Sequence, residues 1–360
     1  MNRYRRSVRI TINLDALRSN LACARALSDG GKIFATIKAD GYGHGAVEVA
    51  RTLTAADGFA VVTLEEALEL RESGIEQPVL VLQGPQSRDA LDEMRHARFW
   101  PVIHDQQQVE WLRDYSEIAQ LKCWLKIDTG MGRLGFMPEQ AAQLLQASTG
   151  ITWMVAMTHF ASADELDNSF TQAQIERFNT IDSISGLQKS LANSAAVLAW
   201  PASRADWARP GIMLYGCNPL DRALPAGTTL ETVMTVTAPL ISVKNLPAGA
   251  GVGYAQTWQC PEPMPVGYVA IGYRDGLPRS LNEVASVAIG GKHCPVVGRV
   301  SMDSIAVDLR SIPDAQVGDG VQVWGTEASV DDLARAAGTI SYELLTSIRG
   351  QRVYQDSLAG

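Results

Sequence analysis

KIFATIKADGYGHG, Lys32 to Gly45, passes from a β-rich run into a glycine-dense turn through a single lysine. The apolar and β-branched residues of Lys32–Lys38 suit a buried strand. Beyond it Gly41, Gly43 and Gly45 alternate. A dinucleotide fingerprint, G-x-G-x-x-G, would need its third glycine one position later, and the chain has no Walker A sequence. What remains is a lysine, Lys38, at the C-terminal end of a strand. Seven more runs of this texture follow: Gly58–Val62, Pro78–Gln83, Phe99–His104, Lys122–Asp128, Ile151–His159, Lys189–Asn193 and Trp207–Leu214. Helical-period stretches such as Leu64–Gly74, Arg88–His96, Gln107–Ile118 and Pro138–Ala147 lie between them. Strands alternating with helices build parallel βαβ units. Eight strands and seven crossovers in about 210 residues suffice to close a (β/α)8 barrel. A doubly wound open sheet is the alternative topology.

Past about Gly227 the texture changes to Thr, Val, Gly and Pro, and helix signals vanish until Ser329. Val233–Val243, Val266–Gly272, Ala285–Ile289, Ser304–Leu309 and Val321–Trp324 read as antiparallel strands joined by glycine-rich turns. One late helix starts at Ser329, whose hydroxyl can cap it, with Asp332 three residues on. The expected division is a barrel over residues 1–227 and a β-rich domain over 228–360, with the opening strand Val8–Leu14 able to pack on the second.

The 360 residues carry 31 Lys and Arg against 39 Asp and Glu, a formal charge of −8. That balance argues against a nucleic-acid partner, which calls for a basic face; Arg3, Arg5, Arg6 and Arg9 form too short a cluster to change this. No stretch of ~18 apolar residues exists to span a bilayer, and the opening arginines lack the apolar segment of a secretory signal. Cys23, Cys123, Cys217, Cys260 and Cys294 are odd in number, scattered and without C-x-x-C spacing. They read as reduced thiols of a cytoplasmic enzyme, with neither disulfide frame nor zinc site.

Chemistry in a barrel sits at the C-terminal ends of its strands. Lys38 lies at such an end between apolar Ile37 and Ala39. Desolvation there would depress its pKa and free the amine for Schiff-base chemistry, although a strand-end lysine can also snorkel to solvent. LKIDTGMGRLGF, Leu125–Phe136, sets Lys126 before a glycine-rich loop bearing Arg133, whose planar fork suits a carboxylate or phosphate, or a salt bridge to a neighbouring helix. His159 ends MVAMTH and Asn193–Ser194 ends the next strand, so several polar strand ends share one rim. ARPGIMLYG, Ala208–Gly216, adds Arg209. Ser194, Gly211 and the Ile212 amide could bind phosphate where barrels commonly do, after strands seven and eight. Tyr254, Tyr273 and Tyr342 each stand in a marked setting of the β half, and singly each reads as a structural strand tyrosine.

Together, from about Val8 to Tyr354, these segments resemble the alanine racemases, pyridoxal-phosphate enzymes with an α/β barrel and a C-terminal β domain. IKADGYGHG is the most specific match. The resemblance implies that Lys38 links to pyridoxal 5'-phosphate, that Tyr42, Ser194, Gly211, Ile212 and Tyr342 hold its phosphate, and that Arg209 faces the pyridine nitrogen above His159. It makes Lys38 and Tyr254 the two bases that exchange the α-proton of alanine on opposite faces. Tyrosine ionises near pH ~10, so Tyr254 would rely on the positive Arg209–His159 network. Arg133 and the Met302 amide would take the substrate carboxylate, with Tyr273 and Asp303 lining the way in. Lys126 matches a lysine that is carbamylated in many family members, a change that would turn a cation into an anion orienting Arg133. The family's site lies between two subunits, which implies a homodimer whose Tyr254, Tyr273, Met302 and Asp303 act in trans. D-Alanine for peptidoglycan is the implied product.

The sequence departs from the family pattern at Asp40–Gly41, where most relatives carry Asn–Ala, at Ala255–Gln256 after Tyr254, and at Arg274, a charge in place of a small residue. Arg274 bears on substrate choice, and a cytoplasmic serine-tolerant or broad-specificity racemase is the nearest alternative. Barrel-fold decarboxylases place a carboxylate where Arg209 stands. Non-enzymatic cofactor-carrying barrels lack a β domain of this size.

Overall fold

The computed structural model describes residues 7–114, 121–147, 150–281 and 284–356. Arg3, Arg5 and Arg6 of the basic cluster, and residues 115–118 of the helix expected over Gln107–Ile118, lie outside them. The described part of that helix runs Gln106–Arg113. The chain forms two compact units, Leu17–Glu231 and the residues on either side of that segment.

The opening strand is β1 (Arg9–Asn13). Within Leu17–Glu231, eight strands follow: β2 (Lys32–Thr36), β3 (Gly58–Val61), β4 (Val79–Val81), β5 (Trp100–Ile103), β6 (Cys123–Lys126), β7 (Trp153–Met157), β8 (Gln188–Ser190) and β9 (Trp207–Ala208). Each pairs in parallel with the next, and β9 returns to β2 through Lys32↔Trp207 and Ile33↔Ala208, so the barrel is closed and the open-sheet alternative falls. Side chains alternate across each strand. One face of β2, β5, β6 and β9 therefore sends Phe34, Trp100, Trp124 and Trp207 inward as an aromatic cluster, with Phe34 4.8 Å from Trp207 and 5.3 Å from Trp124. Lys32 and Lys122, at the strands' N-terminal ends, stand 4.9 Å over Trp207 and Trp100. The aromatic layer thus closes the N-terminal end of the barrel. The same alternation, carried two to four residues further, brings Lys38, Lys126, His159 and Arg209 to the other end.

The eighth strand is shorter than its sequence run. It stops at Ala208, and Ile212–Tyr215 is a 3₁₀ turn. Pro210 has no N–H for a ladder, its carbonyl accepts from Thr36 N at 2.9 Å, and Ser194 Oγ takes the amides of Gly211 and Met213 at 2.8 and 3.3 Å. A hydroxyl therefore replaces the sheet as partner.

In the second unit, β1 lies between β10 (Met234–Leu246) and a C-terminal strand, Gln351–Gln355. The strands after β10 are β11 (Gly251–Val252), β12 (Trp258–Gln259), β13 (Met264–Val269), β14 (Ser286–Ile289), β15 (Lys292–Val297), β16 (Ile305–Asp308), β17 (Gly320–Trp324) and β18 (Gln351–Gln355). Sheet order is β13-β16-β15-β14-β17-β10-β1-β18, and β13 also pairs β10, so six strands close on themselves. The expected antiparallel pairing holds except for β1 with β18, which is parallel. Ser329 Oγ accepts from Asp331 and Asp332 N at 3.2 and 3.3 Å, capping the helix Val330–Ala337. A second helix, Ser341–Ser347, was not foreseen in the sequence. No helix among the described residues is long and apolar enough to cross a membrane.

Candidate active site

Lys38 opens an unusual turn. Ala39, Asp40, Gly41 and Tyr42 all have positive φ, 52°, 53°, 62° and 53°, a single turn of left-handed helix. For the three residues with side chains this costs about 1–2 kcal/mol each. Local bonds hold it: Gly41 N to Ile37 O (2.8 Å), Gly43 N to Ala39 O (3.0 Å), Gly45 N to Asp40 O (2.8 Å), and Ala46 N to Asp40 Oδ1 (2.9 Å). Asp40, one of the departures from the family pattern, is therefore a cap for the helix that follows. Strain kept in place by surrounding bonds is characteristic of functional segments.

The turn swings Tyr42 back over the barrel. Its ring stacks on buried Tyr215 at 4.8 Å, and Tyr215 Oη donates to Thr36 O at 3.1 Å. The Tyr42 hydroxyl lies where a Cβ on residue 211 would stand, so Gly211 alone leaves room for it. Ser194, beside the same residue, opens the helix Ser194–Ala199, which Asn193 caps by accepting from Ala196 N at 3.0 Å. Ile212 begins the 3₁₀ turn, where a first N–H has no acceptor inside the turn. The Tyr42 and Ser194 hydroxyls and the Ile212 amide thus converge as donors on one small cradle beside Gly211, whose own N–H is taken by Ser194 Oγ.

Arg209 is buried, and among the described residues no carboxylate pairs with it. Its guanidinium donates to Ser190 Oγ, to Thr158 O at 2.5 Å and to Leu191 O at 3.3 Å, and Ser190 Oγ in turn donates to Trp207 O at 2.9 Å. Burial lowers the Arg209 pKa to about 10, which still leaves it charged at neutral pH. Burial also lowers Lys126 to about 8, helped by Arg209 and Arg133 and opposed by Asp128. His159 is held well below its ordinary range, first by desolvation and then by Arg209, Lys126, Arg133 and Lys38. Lys38 is lowered by burial and by Arg133, with Glu66 acting in the opposite sense. Lys38, Lys126, Arg133, His159 and Arg209 therefore share one rim, and His159 is neutral there. In a chain of net charge −8 this cluster of cations selects an anionic ligand.

The loop after β6 is shaped by Asp128. Burial raises its carboxyl, but the amides of Gly130, Gly132, Met131 and Arg133 outweigh that and hold it below the usual range. Buried Gln174 ties this loop to the next, donating to Thr129 Oγ1 (3.3 Å) and His159 O (3.1 Å) and accepting from Ala161 N (2.9 Å). Thr129 and Thr158 hydroxyls meet at 2.7 Å, which connects the Arg133 loop to the carbonyl that Arg209 uses. Ser190, Thr158, Gln174 and Glu66 escaped the sequence reading. Ser190 left one trace, a hydroxyl within a run that otherwise reads as a buried strand; it is the last residue of β8 and is fully buried.

In the β unit, Tyr254, Tyr273 and Tyr342 do not lie on strands, as the structural reading of each one singly had it, but in two 3₁₀ turns and a helix. They are 65%, 40% and 37% exposed. Tyr254 begins a 3₁₀ turn in which Ala255 and Gln256 have φ of 60° and 48°. Tyr273 N and Arg274 N donate to Ser301 O and Met302 O, both at 3.1 Å, so Tyr273, Met302 and Asp303 share one edge. Met302 is 50% exposed. Tyr342 stands in the helix Ser341–Ser347.

The sequence matches the alanine racemase N-terminal domain over residues 12–219 and the alanine racemase C-terminal domain over 233–355. This chain belongs to the alanine racemase family. The alanine racemase of Pseudomonas entomophila is 44% identical over 348 residues, covering 96% of this chain and 97% of that one. One from Coxiella burnetii is 44% identical over 352 residues, covering 95% and 96%. The biosynthetic alanine racemase from Pseudomonas aeruginosa superimposes with a TM-score of 0.91 at 41% identity, covering 97% of this chain and 99% of that chain. Alanine racemase from Bartonella henselae with covalently bound pyridoxal phosphate superimposes at 0.86 and 27% identity, covering 97% and 99%. Alanine racemases depend on that cofactor. The residues present fit it: the cradle at Gly211 that a Cβ would fill offers donors to a phosphate, and the buried Arg209 offers a fixed cation to a ring nitrogen.

Proposed function

We propose that this chain interconverts L- and D-alanine by a two-base exchange in which Lys38 and Tyr254 hold and move the α-proton on opposite faces of the substrate. As an alanine racemase it is a pyridoxal-phosphate-dependent isomerase, and its product supplies D-alanine for peptidoglycan. The bound cofactor supplies the electron sink that makes the α-hydrogen of an amino acid removable. Tyr42, Ser194, Gly211, Ile212 and Tyr342 would bind its phosphate, and Arg209 its ring nitrogen. A guanidinium keeps its proton, so Arg209 would leave that nitrogen unprotonated and the electron sink weak, which limits side reactions such as transamination. Neutral His159, beside Arg209, would accept a hydrogen bond from Tyr254 and draw its phenol toward ionisation. Arg133 and the Met302 amide would orient the substrate carboxylate, and Tyr273 and Asp303 would line the approach. Lys126 as a carbamate would neutralise one cation of the cluster and orient Arg133.

The observation that carries this reading is Lys38 at the head of a strained turn, desolvated on the rim that also holds Arg209. In the same reading the barrel unit, Leu17–Glu231, is the cofactor domain, and the β unit, which β1 joins by pairing with β10 and β18, supplies Tyr254, Tyr273, Met302 and Asp303 to a second subunit of a homodimer. The enzyme works in the cytoplasm, in keeping with five cysteines that form no disulfide. Mixed dimers test the assignment. Lys38→Ala and Tyr254→Phe proteins, each nearly inactive alone, are dissociated and reassembled together. Random pairing rebuilds one complete site in half the dimers, about a quarter of wild-type activity. Reassembled mixtures no more active than their parents would refute sharing in trans. L-Serine assayed beside L-alanine tests the broader-specificity alternative.

A further inference from the structure

The geometry points to Glu66 as a positioning residue that sets both the place and the protonation of Lys38. The inference rests on the reading of Lys38 as the cofactor lysine. Glu66 belongs to the capping box at the start of the helix Leu64–Glu72: Thr63 Oγ1 accepts from Glu66 N at 3.3 Å, and Glu66 Oε2 accepts from Thr63 N at 3.3 Å. The same Oε2 also takes Val62 N at 2.6 Å. A capping box is complete with one carboxylate oxygen. Here the other, Oε1, reaches across to the loop after β2 and takes Ala39 N at 2.7 Å, 27 residues away in sequence. Ala39 is exposed, so water could satisfy that N–H. The bond is therefore not required for burial, and what it adds is a fixed point on the first residue of the left-handed turn, directly after Lys38.

The charge of Glu66 matters as much as its reach. The groups facing Lys38 come from several elements: Arg133 from the loop after β6, Lys126 at the end of β6, His159 beyond β7, and Glu66 from the first turn of the helix Leu64–Glu72. Glu66 is the carboxylate among them, and it favours the charged amine. Substituting Gln keeps the shape, but its NH₂ must face either Ala39 N–H or the Val62 and Thr63 amides, and the charge is gone. Substituting Asp keeps the charge, but a side chain one methylene shorter cannot bridge both loops.

The test uses the full-length protein stripped of cofactor. Competitive acetylation between about pH 6 and pH 11, followed by peptide mass spectrometry, gives the titration midpoint of Lys38. In Glu66→Gln the midpoint falls, and labelling of Lys38 at pH 7.5 rises about threefold. Thr63→Ala, which weakens the same helix cap without touching Ala39, lowers Tm but leaves the Lys38 midpoint unchanged. Glu66→Asp keeps the midpoint near wild type but loses cofactor faster on dialysis, and it decides the matter should Glu66→Gln fail to fold. An unmoved Lys38 midpoint in Glu66→Gln, or cofactor retention by Glu66→Asp equal to wild type, overturns the proposal and leaves Glu66 a helix cap. Borohydride reduction of the wild-type holoenzyme is the separate check. If the tag falls on a peptide without Lys38, the cofactor assignment fails, whatever Glu66 does.

Discussion

Gly211→Ala is the most economical way to damage the phosphate cradle, because its effect can be worked from one contact. A methyl on residue 211 would overlap the Tyr42 hydroxyl, stand 3.0 Å from Tyr42 Cζ and lie 3.6 Å from Thr36 Cβ. Carbon atoms are comfortable at about 3.5–4.0 Å, so the phenol must retreat by about 1 Å. It has little room to do so. Tyr215 backs it at 4.8 Å and is itself bonded to Thr36 O, while the left-handed backbone fixes the Tyr42 Cα. Overpacking of this kind destabilises by about 1–3 kcal/mol. For a unit of this size 2 kcal/mol lowers Tm by roughly 4–8 °C. The displaced hydroxyl also loses a hydrogen bond to a charged phosphate, about 1.5–3 kcal/mol, hence roughly 10–100-fold weaker cofactor binding. Thermal melting of the cofactor-free protein and equilibrium dialysis of the cofactor read the two effects separately. Adding Tyr42→Phe removes the clashing oxygen, so the double variant should regain most of the lost Tm and none of the lost affinity. Wild-type melting and affinity in Gly211→Ala, or a double variant whose losses merely add, would refute the cradle argument.

Other substitutions probe the rest of the rim. Arg209→Leu should leave Ser190 Oγ and the Thr158 and Leu191 carbonyls without their donor, lowering stability by about 2–4 kcal/mol in denaturant titration and abolishing racemisation; wild-type stability would count against the network. Tyr254→Phe, on an exposed turn, should keep cofactor binding and Tm while racemisation drops about 10²–10⁴-fold, read by coupled oxidation of D-alanine. Lys126 carries a pH signature. Its folded pKa of about 8 lies below the ordinary 10.5, so folding disfavours its protonated form. That destabilisation is complete below about pH 8 and disappears as pH rises toward 10.5. In bicarbonate-free buffer Lys126→Met should therefore raise Tm at pH 7 and lose the advantage near pH 10.5. Bicarbonate should narrow the gap by carbamylating the wild-type lysine, with an added mass of about 44 daltons under native mass spectrometry.

The barrel strands were legible because a parallel sheet buried on both faces demands continuous apolar runs, and Phe59–Val61, Val79–Val81 and Val102–Ile103 supply them without interruption. Their ends were less so. Trp207–Leu214 looks like one strand, yet Pro210 and the Ser194 hydroxyl divide it, and only the proline is visible locally. Ser329 announced its helix because a cap acts within three residues. The helix Ser341–Ser347 is too short to show a period. At the site, position alone put Lys38, Lys126, His159 and Arg209 at one end of the barrel, since each ends or follows a barrel strand, but a snorkelling lysine or a structural histidine suited those places equally, and their roles rested on the family resemblance. Their supports could not. Ser190 and Thr158 reach Arg209 from 19 and 51 residues away, and Glu66 reaches Ala39 from 27. The left-handed turn was hidden because only Gly41 and, less strongly, Asp40 are types that favour positive φ, while Ala39 and Tyr42 are held in it by bonds that form only in the fold.

The crowding of cations at one mouth of an acidic molecule sets how the enzyme meets its cofactor in solution. Pyridoxal phosphate is an anion, and the chain carries −8 overall, so at distances beyond a screening length of about 10 Å the two repel. Close to the rim the sign reverses, because Lys38, Lys126, Arg133 and Arg209 cluster there and outnumber Glu66 and Asp128, the carboxylates that act on Lys38 and Lys126. Added salt screens the far field first at low concentration and the near field only later. The rate of cofactor uptake should therefore climb with the first millimolar increments of salt and then decline. Such a non-monotonic curve would separate the charge of the molecule from the charge of its doorway.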